Sequence, residues 1–343
     1  MSVTASAPAA GTVQVSVSVA MCTYNGERHL QAQLDSILQQ SQLPNEMVIA
    51  DDGSSDTTQA ILGRFAATAP FTVRVIGDRS NLGVTHNFER ALRACTGDIV
   101  VLSDQDDIWH RDRIATLTQA FRDQPSAGYA FSDAEVFDGA GPPAADSLWQ
   151  RIGFNAARRH EFQNGNQTLA LLNGGNFTYG MSMAIRADCL PWVLPIDSAS
   201  PSCTHDTWSA LVLSAAGRPG IALEQLLVKY RQHQAQVVGA GEAQPSAWQS
   251  FVRSMRGDRC YDPLLPDALE AIARRVAALA GDQAETHEAR QLLIDKAMHL
   301  RNRRRADASG LFIRARIIAV ELASGRYHRF SASWKTALRD LIA

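Results

Sequence analysis

The sequence predicts an α/β fold in which a mostly parallel sheet is flanked by helices. Two observations lead there. Short β-branched runs alternate with helical patterns four times in succession, and polar turns follow the first, second and fourth strand-like runs, the latter two rich in carboxylates. The units, in order, are VQVSVSVAM with ERHLQAQLDSILQQ, EMVIAD with DTTQAILGRFAAT, FTVRVIG with THNFERALRACTG, and DIVVLSD with HRDRIATLTQAFRD. Ser55 and Asp56 read as a cap for the helix containing ILGRF, and Gly97 as the stop of the helix before DIVVLSD. After Tyr129 the alternation weakens. AGYAFSDAEVFD reads as a strand, LWQRIGFNAARRHEFQNGNQTLALLNGGN as irregular chain plus a helix, and GMSMAIRADCL as a strand entering a helix. HDTWSALVLSAAG reads as a helix and ALEQLLVKYRQH as a final strand, followed by the linker-like EAQPSA and an Arg-rich helical stretch.

Composition fits a globular chain: 343 residues, 45% hydrophobic and 20% charged, with 33 Lys+Arg against 35 Asp+Glu. That balance gives no whole-chain argument for nucleic-acid binding. The charge is uneven, however. From Phe251 onward there are 17 basic and 11 acidic residues, a net of +6, which leaves −8 for residues 1–250. The five cysteines are scattered without a CxxC, as expected of a reduced chain without structural zinc. The opening MSVTASAPAAGT lacks the pattern of a signal peptide, and no run is apolar for long enough to cross a bilayer; a soluble, cytoplasmic protein is the expectation.

A sheet of this kind binds ligands at the carboxyl ends of its strands, and there the chain places its chemistry. Cys22-Thr23-Tyr24-Asn25-Gly26 ends the first strand. It can seat a nucleotide, with Tyr24 stacked on a base, or be an ordinary strand-to-helix turn. Asp51 and Asp52 end the second strand as adjacent carboxylates that repel unless something receives them, whereas Asp56 is accounted for as a cap. The missing GxGxxG argues against a dinucleotide. In VVLSDQDDIW, Asp104 and Asp106 lie two apart, so on an extended chain they point the same way, and a turn after Asp106 brings Asp107 around. Clustered carboxylates here suit Mg²⁺ or Mn²⁺ bridging phosphates, and a solvated acidic turn is the alternative. Trp109 is expected to anchor the segment.

CTYNGERHLQAQLDSILQQ, VIADDGSSDTT, NLGVTHNFERAL, GDIVVLSDQDDIW and HDTWSALV…YRQH, in that order over about residues 15–240, resemble the family 2 inverting glycosyltransferases of the GT-A fold. The SDQDDIW form is similar to rhamnosyltransferase-like bacterial members that build surface polysaccharides such as O-antigen. The resemblance implies a nucleoside-diphosphate-sugar site formed by Thr23, Tyr24, Asn25, Asp52, Asn81, Gly83 and Asp104. It implies a metal held by Asp106 with Asp104, with His233 as a late contact, and Asp206 as the catalytic base. Asn176, Tyr179 and His205 are implied for the acceptor side. It divides the chain into a tail (1–14), a transferase domain (15–240, with 15–125 for the nucleotide sugar and 126–240 for the acceptor) and a helical region (241–343). The implied partners are a nucleoside-diphosphate sugar, dTDP-L-rhamnose among the options, and a glycan or lipid-linked acceptor.

The sequence also departs from the family pattern. Cys22 stands where relatives carry a hydroxyl or aliphatic residue, the base motif is HD, and no QxxRW is present, which argues against a processive synthase. RNRRRADASGLFIRARIIAVELASG reads either as a basic amphipathic helix for peripheral contact with an anionic membrane or as a solvated face packed on the domain. Two other functions compete. A sugar-nucleotide pyrophosphorylase calls for a Gly-rich, basic first loop that CTYNGERHL lacks, and a non-catalytic binding module has no need of Asp52, Asp104, Asp106 and Asp206.

Overall fold

A computed structural model describes residues 15–78, 80–137, 145–232, 262–281, 283–331 and 334–342. His233 and the EAQPSA linker lie outside the described residues. The first half is built from β1 (Val17–Thr23), α1 (Leu30–Leu38), β2 (Glu46–Asp51), α2 (Thr58–Thr68), β3 (Thr72–Ile76), α3 (Val84–Ala94), β4 (Ile99–Ser103), β5 (Ile108–Trp109) and α4 (Arg113–Asp123). The second half carries β6 (Tyr129–Phe137), α5 (Leu148–Arg151), α6 (Ala156–Asn164), α7 (Gln167–Gly174), β7 (Met183–Arg186), α8 (Leu190–Val193), α9 (His205–Ala215) and β8 (Gly220–Arg231).

These strands form one sheet in the order β3-β2-β1-β4-β7-β6-β8-β5. Strands β1 to β4 are mutually parallel, β7 runs antiparallel to both β4 and β6, β6 and β8 are parallel, and the two-residue β5 is antiparallel to β8. From β1 the order steps outward through β2 and β3 on one side and through β4 on the other. The carboxyl ends of β1 and β4 therefore flank the switch point, the crevice where such sheets bind ligands.

Both faces of the sheet are covered, because alternate residues of a strand feed opposite cores. Val100 and Leu102 of β4 join Phe88, Phe131 and Trp208 on one face, while Ile99 and Val101 join Leu30, Leu34 and Ile114 on the other. Gly97 does not end α3, which stops at Ala94 with Cys95 as its cap; glycine is needed there for close approach, because a Cβ would come within 2.7 Å of the Ser18 backbone nitrogen in β1.

The Arg-rich stretch forms several helices rather than one: α10 (Leu265–Ala280), α11 (Ala284–Asp307), α12 (Leu311–Ala323), α13 (Arg326–Phe330) and α14 (Trp334–Ile342). Gly310 separates α11 from α12. Leu269, Ile272, Val276 and Leu293 share the core of the sheet's α9 face, and Arg275 lies over Trp208 while donating to the Leu194 carbonyl at 2.6 Å. Among the described residues no helix is long and apolar enough to cross a membrane, and Cys22, Cys95, Cys189 and Cys203 are free thiols.

Candidate active site at the carboxyl ends of the parallel strands

The loop after β1 is held by its neighbours. Thr23 donates its hydroxyl to Asp51 at 2.7 Å, and the Asn25 side chain accepts from Ser55 N–H at 2.8 Å with Asn25 itself at φ 46°. Asparagine tolerates that left-handed conformation better than most residues. Tyr24 is 49% exposed, while its backbone exchanges two hydrogen bonds with the Gln105 amide at 2.9 and 3.0 Å. The CTYNG turn and the acidic turn after β4 are thus tied across the switch point, leaving the Tyr24 ring accessible to a planar base.

The carboxylates after β2 take separate roles. Asp51 is buried and accepts from Thr23, Ser54 and Gln59, so it builds the turn. Asp52 accepts the backbone N–H groups of Leu82 at 2.7 Å and Gly83 at 2.9 Å, with Arg90 3.5 Å away. The NLGV loop is brought over the strand end by this clamp. Gly83 has φ 78°, a conformation that favours glycine, and Asn81 is exposed beside it. Asp56 accepts from Thr58 N–H at 3.0 Å and from Glu27 N–H at 3.1 Å, so it secures the start of α2.

The acidic turn after β4 does not stay extended through Asp106: the strand ends at Ser103 and the chain bends at Gln105 and Asp106. The bend leaves Asp104 and Asp106 partly exposed and turns Asp107 inward, fully buried, where it accepts from Arg231 N–H at 3.0 Å. Burial and the charges of Asp106 and Asp206 push the Asp104 carboxyl up to about 8, against the opposing pull of Arg113. Burial, Asp106 and Asp104 likewise raise Asp107.

Three side chains support this turn. Arg113 is wholly buried, its guanidinium 4.6 Å over the Trp109 ring, and burial draws it down to about 9 while Asp107 and Asp104 oppose the shift. Oriented to satisfy both ends, the Gln33 amide donates to the Asp107 carbonyl at 2.8 Å and accepts from the Ser103 hydroxyl and the Trp109 indole N–H. Arg231 donates to the Asp106 carbonyl at 2.8 Å and lies over Phe137. Arg113 left one sequence signal: a cation in the first turn of α4 at i−1 and i−4 to the buried Ile114 and Leu117. Gln33 left none, since its partners arrive from a distant strand.

Asp206, in the first turn of α9, is 6% exposed and has both oxygens engaged. Oδ1 accepts from the Thr204 hydroxyl at 2.6 Å and Thr207 N–H at 2.7 Å; Oδ2 accepts from Gly180 N–H at 3.0 Å and the Asn176 amide at 3.4 Å. Asn176 and Tyr179 thus stand beside Asp206, and burial together with Asp206 pushes the Tyr179 phenol up to about 12. His205 lies underneath, buried and stacked on Phe88 at 3.9 Å; burial lowers it despite the neighbouring Asp206. Gly180 is required there because a Cβ would run into the His205 imidazole.

A divalent ion fits the Asp104–Asp106 pair on one observation: two carboxylates brought together partly buried, with the charge of one disfavoured until a cation receives it. Among the described residues no group of three or more His, Cys, Asp or Glu is placed to hold a metal, so an ion here would take its other ligands from a diphosphate and water.

The fold and the strand-end constellation define an α/β protein built to receive a ligand at its switch point. Residues 18–185 match the family model described as glycosyl transferase family 2, and the chain carries a domain of that family. An uncharacterized protein of Mycobacterium tuberculosis is 37% identical over 94 residues, 27% of each chain. The dTDP-rhamnosyl transferase RfbG of Shigella flexneri is 35% identical over 98 residues, 27% of this chain and 34% of that one. The matched segment is therefore about a third or less of each of these relatives. The crystal structure of S. aureus TarS 1-349 in complex with UDP-GlcNAc superposes with a TM-score of 0.51 at 18% identity, covering 83% of this chain and 72% of that one, a likeness of GT-A fold.

Proposed function

We infer that this chain is a metal-dependent inverting glycosyltransferase that moves a sugar from a nucleoside diphosphate to a hydroxyl of a glycan or lipid-linked acceptor in bacterial surface polysaccharide synthesis. The observation that supports the reading is three carboxylates on neighbouring elements: Asp104 and Asp106 follow β4, and Asp206 accepts from Gly180 N–H in the turn that leads into β7, the strand paired with β4. The family 2 domain favours transfer over pyrophosphorolysis or simple binding. L-Rhamnose from dTDP-rhamnose is the first donor to test, on the similarity to RfbG.

In this reading Tyr24 stacks on the base, Asp52 positions the NLGV loop with Asn81 and Gly83 around the donor, and Thr23 and Asn25 fix the turn. Asp106, with Asp104, would hold Mg²⁺ or Mn²⁺, which would supply positive charge to the departing diphosphate. Asp206 takes the acceptor proton as the acceptor oxygen bonds to the anomeric carbon. The bond from that carbon to the diphosphate oxygen breaks, and its electron pair leaves with the nucleoside diphosphate. The Asn176 contact, at 3.4 Å the longest of the four to Asp206, is the one an acceptor hydroxyl displaces most easily. A lipid-linked acceptor places the enzyme at the cytoplasmic face of a membrane. His233 is retained as a candidate metal or diphosphate contact on the resemblance alone.

The test is a panel of nucleoside diphosphates and their sugars with Mg²⁺ or Mn²⁺, read by thermal stabilisation. A ligand at about 100 times its dissociation constant adds about 2.7 kcal/mol. Metal-dependent stabilisation by at least one of them, followed by transfer with inverted anomeric configuration, supports the reading. No stabilisation by any of them, or retention of configuration, defeats it.

A further inference from the structure

The outer faces of α12 and α14 are apolar where a soluble surface would be polar. Phe312 is 91% exposed, and Leu311, Ile313 and Val320 are also exposed on α12. On α14, Trp334, Leu338 and Ile342 recur at i, i+4 and i+8 and are 56%, 50% and 69% exposed. The two helices pack together through Ile318, Ala337 and Leu341, so these residues are what remains on their outward sides.

Charge is sorted in the opposite sense. Residues 301–342 contain ten Lys and Arg but three carboxylates, Asp307, Glu321 and Asp340. Glu321 and Asp340 are buried: Glu321 takes Arg326 at 2.6 Å and His299 at 2.7 Å, and Asp340 takes Arg303 at 2.7 Å and Tyr327 at 2.8 Å. Arg314 turns back onto the carbonyls of Ala306, Asp307 and Ser309. Arg304 and Arg305 stay exposed in the last turn of α11, just before α12 begins, and Arg316 stays exposed one turn from Phe312 on α12. The single basic helix expected from the sequence is thus corrected: Arg303, Arg314 and Arg326 are half-buried and engaged within the helices, and the outward surface combines large apolar side chains with exposed arginines.

We propose that the outer face of α12 and α14 docks on an anionic lipid bilayer, with Phe312 and Trp334 entering the headgroup boundary and Arg304, Arg305 and Arg316 meeting lipid phosphates. Exposed aromatic and aliphatic side chains bordered by arginine are the composition of an interfacial element. A second copy of the chain fits less well, because a two-fold contact between identical faces sets cationic rim against cationic rim.

The experiment is co-sedimentation of the full chain, without donor or metal, with phosphatidylcholine vesicles and with vesicles containing phosphatidylglycerol, at low and high salt. Binding only to the anionic vesicles, weakened by salt, is the expected result. The double variant Phe312→Ser, Trp334→Ser lowers partitioning by about tenfold for each aromatic removed. Charge reversal of Arg304, Arg305 and Arg316 abolishes the salt-sensitive part, and serves if the double variant melts early. The proposal is overturned if wild type stays in the supernatant, if binding is indifferent to both variants, or if wild type is a dimer that the double variant converts to monomer with no vesicle binding. Because the readout needs no turnover, its failure leaves the transferase reading standing, and the reverse holds too.

Discussion

Arg113→Met perturbs the candidate site from beneath without replacing any residue expected to meet the donor. The substitution keeps the apolar stem that lines Trp109 and deletes a buried cation facing Asp107 and Asp104. Arg113 makes no direct ion pair with these carboxylates and acts on them through its charge, so the cost stays at or below the roughly 3 to 5 kcal/mol of breaking a buried pair. The lower end applies here, because burial already disfavours the guanidinium, whose pKa is drawn down to about 9, and because the carboxylates can take up protons when it is gone. That second escape makes the cost depend on pH. Asp104 has a folded pKa raised to about 8, so the stability it contributes is fully present below the ordinary carboxylate range and is lost as pH rises through about 8. Without Arg113 the rise is larger. Urea denaturation should therefore show a loss that is about 1 kcal/mol larger at pH 9 than at pH 5, with Mn²⁺ restoring part of the difference. A loss that is equal at both pH values, or greater at pH 5, refutes the reasoning.

Two further perturbations address other parts of the chain. Gly180→Ala drives a methyl group into the His205 imidazole and displaces the N–H that orients Asp206, which costs about 1 to 3 kcal/mol and lowers transfer more than donor binding; thermal melts and donor titration separate the two. Burial alone would raise Glu321, but hydrogen bonds from His299, Arg326 and Asn302 outweigh it and hold the carboxyl at about 2. Its stabilising contribution is present above the ordinary glutamate range and is lost as pH falls from about 5 to about 2, and an acid titration followed by circular dichroism should be shallower in that window for Glu321→Gln.

The first four strands and their helices were legible because each pairs a short β-branched or apolar run with an amphipathic segment, and parallel strands must be connected that way. The polar turns at the carboxyl ends were legible for the same reason, since sheet direction follows once the units are parallel. The stretch 148–174 was not: three helices of four to nine residues give too few turns for a helical period to stand out. Gly310 marks the break that a basic count over 301–316 overlooked. At the site, Asp51 and Asp52 looked equivalent in sequence and differ only because Thr23, Ser54 and Gln59 surround one and the NLGV backbone the other. Asp107 was expected to be brought around by a turn after Asp106, and its burial follows from the bend at Gln105 and Asp106, which the alternation of an extended chain does not foresee.

The central claim is that a diphosphate and a metal meet at Asp106 while Asp206 serves a later proton transfer. Calorimetric titration of wild type, Asp106→Asn and Asp206→Asn with the stabilising nucleoside diphosphate, with and without Mn²⁺, tests it most directly. Metal-dependent binding lost in Asp106→Asn and kept in Asp206→Asn is the predicted result. Binding that survives Asp106→Asn unchanged, or that disappears with Asp206→Asn, contradicts the account.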